Sequence, residues 1–202
     1  MAKAGIIEKS TSPYCSPLVV AAKKLGDVRL CGNYHQVNAK TNVTAKQMSD
    51  QRLIFAKLAK SKYFTNLDLT KSYFQIPLDP KSRNITAFTT PWGLYQYRVL
   101  PFGLTNAPAV FNHVMRDVFQ NVPGTGVFVD DVLVHTASFE EHLSVLEDVF
   151  HTLDSANLTV KPSNCEVGQS VVQFLGHTVG AGKCSCQEDK IQKIKEAPIP
   201  KT

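Results

Sequence analysis

Two adjacent carboxylates, Asp130 and Asp131, stand between two apolar triplets, Val127-Phe128-Val129 and Val132-Leu133-Val134. The triplets are rich in β-branched residues, which favour strands. A strand pair meeting at a tight turn accommodates both triplets, and a turn alone accounts for aspartate between them, so a plain Asp-rich hairpin is one reading. Turns of that kind favour Asp-Gly or Asn-Gly, however, and no glycine follows Asp131. Adjacent like charges repel unless a cation holds them. Asp68 closes another apolar strand, Tyr63 to Leu69. If the two strand systems are neighbours, three carboxylates converge. Hard oxygen ligands of that kind suit Mg²⁺, and two such ions clamp the attacking and leaving oxygens of a phosphoryl transfer.

The flanking sequence predicts what surrounds this hairpin. Pro17 to Lys24 reads as a strand, Gly26-Asp27 as a turn and Val28 to Cys31 as the returning strand. Ser49 or Asp50 is placed to cap a helix running to about Ala59. Ile85 to Thr90 and Leu94 to Val99 form a hairpin around Pro91-Trp92-Gly93. Asn106 caps a helix with Pro108 in its first turn, where the missing N–H costs little. Val110, Phe111, Val114, Met115, Val118 and Phe119 recur at helical spacing and form a core face. Gly124 and Gly126 end that pattern. Ser138 with Glu141 is a capping box opening a second helix, whose buried face is predicted from Leu143, Leu146, Val149, Phe150 and Leu153. Short strands follow near Val160 and from Val171 to Val179, and a charged helix starts near Glu188. This order predicts an α+β fold, an antiparallel sheet with helices packed on one face.

Charge is divided along the 202 residues. Met1 to Lys62 carries 11 Lys/Arg against 3 Asp/Glu, and Tyr63 to Thr202 carries 11 against 14. A basic third joined to an acidic remainder predicts phosphate contacts in one part and cation binding in the other, a solvated basic face being the alternative. The five cysteines, Cys15, Cys31, Cys165, Cys184 and Cys186, are odd in number and irregular in spacing, which argues against a disulfide framework. Cys184 and Cys186 near His177 lack the paired second half of a zinc motif. No apolar run approaches a membrane span and the N-terminus has no signal-peptide core, so the expectation is a soluble intracellular chain whose Asn-x-Thr sequons at Asn42, Asn84 and Asn157 go unused.

Several of these segments also carry a family likeness. Ser10 to Pro17, Tyr63-Phe-Thr-Asn-Leu-Asp-Leu69, Leu100-Pro-Phe-Gly-Leu-Thr-Asn-Ala-Pro-Ala109, Phe128-Val-Asp-Asp131, His142-Leu143 and Phe174-Leu-Gly-His177 stand in one order over nearly the whole chain. Together they resemble the reverse transcriptase domain of gypsy-class LTR retrotransposons, a piece of a Pol polyprotein. The resemblance implies a polymerase palm plus fingers, with fingers at about 1–62 and 76–99, palm at about 63–75 and 100–180, and 181–202 beginning a thumb or connecting segment. It implies an RNA-directed DNA polymerase that adds dNMPs to a primer 3′ end on an RNA or DNA template. Asp68, Asp130 and Asp131 would hold two Mg²⁺ ions, with Mn²⁺ as an alternative. Lys24 (or Lys23) and Arg29 would touch the dNTP triphosphate, Tyr73 would crowd the sugar 2′ position, and Phe102 would lie beside the nucleotide. Phe174, Leu175, Gly176 and His177 would grip the primer. The implied partners are a template–primer duplex and dNTPs, and the implied location is a cytoplasmic virus-like particle.

The likeness has gaps. Phe128 stands where the family has Tyr, Asn33 and His35 stand where it has Asp and Arg, and Lys71 and Phe74 are unusual after Asp68. Little of the 202 residues would build a thumb, and no ribonuclease H or integrase region is recognisable. Beside an active polymerase core stand two alternatives: a non-catalytic, nucleic-acid-binding remnant, and a piece that needs its thumb to work.

Overall fold

The computed structural model describes residues 1–22, 28–44, 51–58 and 60–197. In chain order its elements are β1 (Ile7–Lys9), β2 (Leu18–Ala22), β3 (Val28–Gly32), α1 (His35–Ala39), α2 (Gln51–Leu58) and β4 (Tyr63–Asp68). They continue with β5 (Phe88–Thr90), β6 (Gly93–Tyr97), α3 (Ala107–Phe119), β7 (Thr125–Phe128), β8 (Asp131–Thr136) and α4 (Phe139–Ser155). The last are β9 (Glu166–Gln169), β10 (Val171–Phe174), β11 (His177–Gly180), β12 (Lys183–Cys186) and α5 (Glu188–Lys195). Every ladder between these strands is antiparallel, and the fold is α+β. Among the described residues no helix is long and apolar enough to cross a membrane.

The chain divides into two compact units. The first comprises Met1–Gln47 and Thr70–Val114, the second Met48–Leu69 and Met115–Thr202, so the boundary falls inside α3.

In the first unit β2 pairs with β3, and β6 pairs with β1 and β5. The hairpin predicted from Ile85 begins only at Phe88, because Pro80–Thr86 is a 3₁₀ helix. Asp79 caps it by accepting from the Lys81 N–H at 2.8 Å, with Pro80 in its first turn. Thr86 is then spent on local bonds. Its hydroxyl donates to the Arg83 carbonyl and accepts from the Tyr97 N–H, and its carbonyl accepts from the buried Tyr34 hydroxyl. At the start of α3 the Asn106 carbonyl takes the first helical bond from the Val110 N–H. The Asn106 side chain reaches the Asn42–Thr44 loop, donating to the Asn42 carbonyl and accepting from the Thr44 N–H. The helix cap predicted at Ser49 or Asp50 and the turn at Gly26-Asp27 lie outside the described residues.

The second unit is built on a four-stranded sheet in the order β7-β8-β4-β9. Alternation along the strands sorts the side chains. Thr65 and Leu67 share one face with Val132, Val134 and Thr136, and α4 covers it. Phe64, Asn66 and Asp68 share the other with Asp131, Leu133 and His135. On this face α2 and the small β10-β11-β12 sheet close a core of Ile54, Leu58, Phe64, Leu133, Val172, Phe174 and Val179. Thus α4 covers one face of the sheet, and α2 joins the opposite one. Gly126 lies inside β7, where an added Cβ would come 3.0 Å from Ile54 Cγ2, so the missing side chain lets α2 approach.

The capping box at α4 forms as predicted. The Ser138 hydroxyl accepts from the Glu141 N–H at 3.2 Å, and the Glu141 carboxylate reaches back to the Ala137 N–H. Its buried face differs: His142, Val145, Leu146, Val149 and Leu153 are inside, whereas Leu143 and Phe150 are 53% and 46% exposed. A polar residue leads the buried stripe because two threonines of the sheet bind it. The strand expected near Val160 reduces to a single bridge with Leu69, and the ladder continues instead at Glu166–Gln169.

Candidate active site

The three aspartates lie in the second unit. β4 and β8 pair so that Asp68 stands directly opposite Asp131. β7 and β8 pair Phe128 with Asp131, which leaves Val129 and Asp130 as a two-residue turn. Val129 has φ 54° and Asp130 a negative φ, the sign pattern of a type II′ turn, whose first central position normally takes glycine. A β-branched residue held there costs about 1–3 kcal/mol. The buried Val127, Val132 and Leu133 on either side hold the ladder that imposes it. The strained turn sets Asp130 at the tip and Asp131 at the first position of β8.

The electrostatics follow from this crowding. The Asp131 carboxyl is pushed up to about 6, first by burial and then by the charges of Asp130 and Asp68. Among the described residues none of the three aspartates forms a salt bridge with a basic side chain. Asp68 has a neutral partner: Asn164 Nδ2 donates to its Oδ2 at 2.6 Å. The Asp68 carbonyl also accepts from the Lys161 N–H at 2.8 Å, so the 3₁₀ turn Pro162–Asn164 is fastened to the end of β4. No local pattern marks Asn164, which meets Asp68 across 96 residues of sequence. Among the described residues no group of three or more His, Cys, Asp or Glu side chains is placed to hold a metal ion by itself, at the aspartates or at Cys184 and Cys186.

Phe174, Leu175, Gly176 and His177 form the turn between β10 and β11, with Phe174 paired to His177. Leu175 and Gly176 both have positive φ, 48° and 77°, as a type I′ hairpin requires. The His177 ring lies 4.7 Å from that of Phe55, and its Nδ1 is 3.2 Å from the Leu175 carbonyl. Leu175 and Phe128 both pack on the core that includes Phe64 and Leu133. One apolar cluster thus supports both this turn and the strand that ends in the aspartate turn.

Tyr73 and Phe102 belong to the first unit. Their rings meet edge-on at 4.9 Å, Tyr73 lies 5.0 Å from Phe111, and Phe74 lies 5.3 Å from Phe102. Phe74 therefore fills an aromatic cluster. Arg29 lies in β3 opposite Ala21, and Lys23 and Lys24 lie outside the described residues.

Residues 20–179 match the family described as reverse transcriptase (RNA-dependent DNA polymerase). The chain belongs to the reverse transcriptase family. It is 35% identical to the retrovirus-related Pol polyprotein from transposon 297 of Drosophila melanogaster, over 99% of this chain and 20% of that protein. It is 33% identical to the transposon Tf2-3 polyprotein of Schizosaccharomyces pombe, over 98% of this chain and 15% of that protein. The chain thus spans about a fifth or less of these relatives. Among solved structures it is similar to the foamy viral protease–reverse transcriptase in complex with double-stranded DNA, with TM-score 0.91 and 30% identity over 98% of this chain and 35% of that one. The same viral enzyme in complex with an RNA/DNA hybrid gives 0.87, again at 30% identity, over 98% and 27%. The family's departures have local substitutes in this reverse transcriptase chain. The Phe128 ring packs on the core. Asn33 Oδ1 accepts from the His35 N–H at 3.3 Å, at the start of α1.

Proposed function

We propose that this chain is the polymerising core of an RNA-directed DNA polymerase, adding dNMPs to a primer 3′ end on an RNA or DNA template. The observation that carries this reading is Asp68 opposite Asp131 beside the strained turn that presents Asp130. Two carboxylates, Asp68 and Asp130, beside a third that holds its proton to about 6 make a site short of positive charge. The donor set fits magnesium, which binds through one or two carboxylates plus substrate phosphates and water and so needs no complete protein cage. Asp68, Asp130 and Asp131 would hold two such ions, Mn²⁺ serving as a substitute. Such ions would supply Lewis-acid activation of the primer 3′-hydroxyl and charge neutralisation for the departing pyrophosphate.

The chain's own residues do the rest. Asn164 Nδ2 donates to Oδ2 of Asp68 and so fixes the orientation of that carboxylate. The Leu175-Gly176 turn takes the primer strand. By family position, Lys24 (or Lys23) and Arg29 receive the triphosphate, Phe102 flanks the nucleotide and Tyr73 crowds the sugar 2′ position. Under this reading the unit containing the aspartates carries most of the palm, with α2 as part of it, and the other unit carries the fingers together with residues 70–75 and 100–114 of the expected palm. The fingers unit carries 11 Lys/Arg against 3 Asp/Glu, a charge suited to nucleic-acid phosphates. Structures of similar enzymes with double-stranded DNA and with an RNA/DNA hybrid support a duplex as the partner. The setting we propose is intracellular, within a particle of the parent element.

Primer extension by the purified chain on poly(rA)·oligo(dT) with Mg²⁺ and dTTP tests this. Templated addition of dTMP is expected. Duplex binding with no addition would favour a nucleic-acid-binding remnant.

A further inference from the structure

A single buried ring joins the strands that carry Asp68 and Asp131. His142 lies in the first turn of α4 and is 1% exposed. Its Nε2 is 2.7 Å from Thr65 Oγ1 on β4, and its Nδ1 is 3.0 Å from Thr136 Oγ1 on β8. The Thr65 hydroxyl also accepts from the Gly168 N–H of β9 at 3.0 Å, and the Thr136 hydroxyl donates to the Ser138 carbonyl at 3.0 Å.

For a neutral ring only one placement of protons satisfies all four contacts. Thr136 has one hydroxyl proton and gives it to Ser138, so His142 Nδ1 must donate to Thr136. Nε2 is then bare and accepts the Thr65 hydroxyl proton, while Thr65 accepts from Gly168. The opposite tautomer would leave the Thr65 proton without an acceptor and cost the Ser138 bond, inside a core where Thr65 is fully buried. Burial lowers the ring's proton affinity, consistent with this neutral form.

The tie matters because the apolar pattern does not define the pairing uniquely. A one-residue slip of β8 would turn its buried face outward, so the core forbids it. A two-residue slip exchanges Val132 for Val134 on the same face at little cost, yet moves Asp131 from Asp68 to Asn66, by about 7 Å. Thr65 and Thr136 are diagonal neighbours on the α4 face, since Thr65 pairs with Val134 and Thr136 with Tyr63. One imidazole spans them only in the observed register.

We propose that His142 is a positioning residue for polymerisation, holding β4 and β8 in the register that sets Asp68 opposite Asp131. This rests on the polymerase reading above. The test compares His142→Leu, which keeps bulk, with His142→Gln, which keeps a donor and an acceptor. A displacement of ~1 Å imposed from a distance can cost ~100-fold in rate. The expected result for His142→Leu is therefore a fall in kcat of about 10- to 100-fold, with the KM for dNTP and the duplex Kd unchanged. His142→Gln should restore part of the rate. Nitrogen NMR of the ring should find the proton on Nδ1. Wild-type kcat in folded His142→Leu, or a proton on Nε2, would overturn the proposal. Should His142→Leu not fold, Thr136→Val cuts one tie and keeps the shape. The same loss of kcat is expected there, and an unchanged kcat would overturn the proposal. A wild type that extends no primer would refute the polymerase reading instead. The register is then judged by cross-strand Asp68–Asp131 NMR contacts, which should be at full strength in the wild type and weakened in these variants; contacts of unchanged strength would overturn the proposal.

Discussion

His135 makes the fold sensitive to acid in a way that can be worked out from its surroundings. It is 9% exposed in β8, with Nδ1 3.0 Å from the Ser61 hydroxyl. Its pKa is lowered from 6.5 to about 4, chiefly by burial, with Lys57 and His142 adding to the effect and Glu141 opposing it. Above pH 6.5 the ring is neutral in both folded and unfolded chains and contributes no pH dependence. Below 6.5 the unfolded chain takes up a proton that the folded chain refuses, so stability falls until about pH 4, where both are protonated. At ~1.4 kcal/mol per pH unit the whole window is worth about 3 kcal/mol, of which about 2 is lost by pH 5. That is a large part of the ~5–15 kcal/mol of a typical domain. His135→Asn keeps a polar group within reach of Ser61 but does not titrate. Urea unfolding of both proteins at pH 7.5 and pH 5 isolates the ring, since every other titrating group is common to the two. The wild type should lose about 2 kcal/mol more than the variant on acidification. Equal losses would mean that His135 protonates within the fold and that its burial is not as described.

Three further outcomes follow from the structure. Val149→Ala should cost about 2 kcal/mol in urea unfolding, whereas Leu143→Ala should stay within about 0.5, because only Val149 is buried. Gly126→Ala should destabilise the second unit by about 1–2 kcal/mol, by forcing Ile54 of α2 away from the sheet. Tyr73→Val should raise the use of ribonucleotides relative to deoxynucleotides, read as the ratio of kcat/KM for each in both proteins; an unchanged ratio would leave Tyr73 as a core ring only.

The aspartate hairpin was legible from its two β-branched triplets, although its turn falls at Val129 and Asp130, one residue before the expected Asp130-Asp131 pair, and the family was legible because its motifs recur in one order. What resisted reading depends on contacts distant in sequence. The pairing of Asp68 with Asp131 is chosen among registers that the valines of β8 barely distinguish. Asn164 is an ordinary turn residue until it meets Asp68. The buried face of α4 was misjudged at Leu143 and Phe150 because an apolar count places His142 outside, whereas Thr65 and Thr136 draw it in. Ile85 and Thr86 favour strands by composition, yet Pro80 and its Asp79 cap start a 3₁₀ helix that carries them.

The most direct test of the central claim is primer extension by Asp130→Asn beside the wild type, with template–primer affinity measured on the same samples. The substitution keeps the size of the side chain at the tip of the turn and removes one charged ligand. Extension should fall to background while duplex affinity is largely kept, which would locate the chemistry at the carboxylates. Extension at the wild-type rate would remove Asp130 from the mechanism and contradict the assignment of this site.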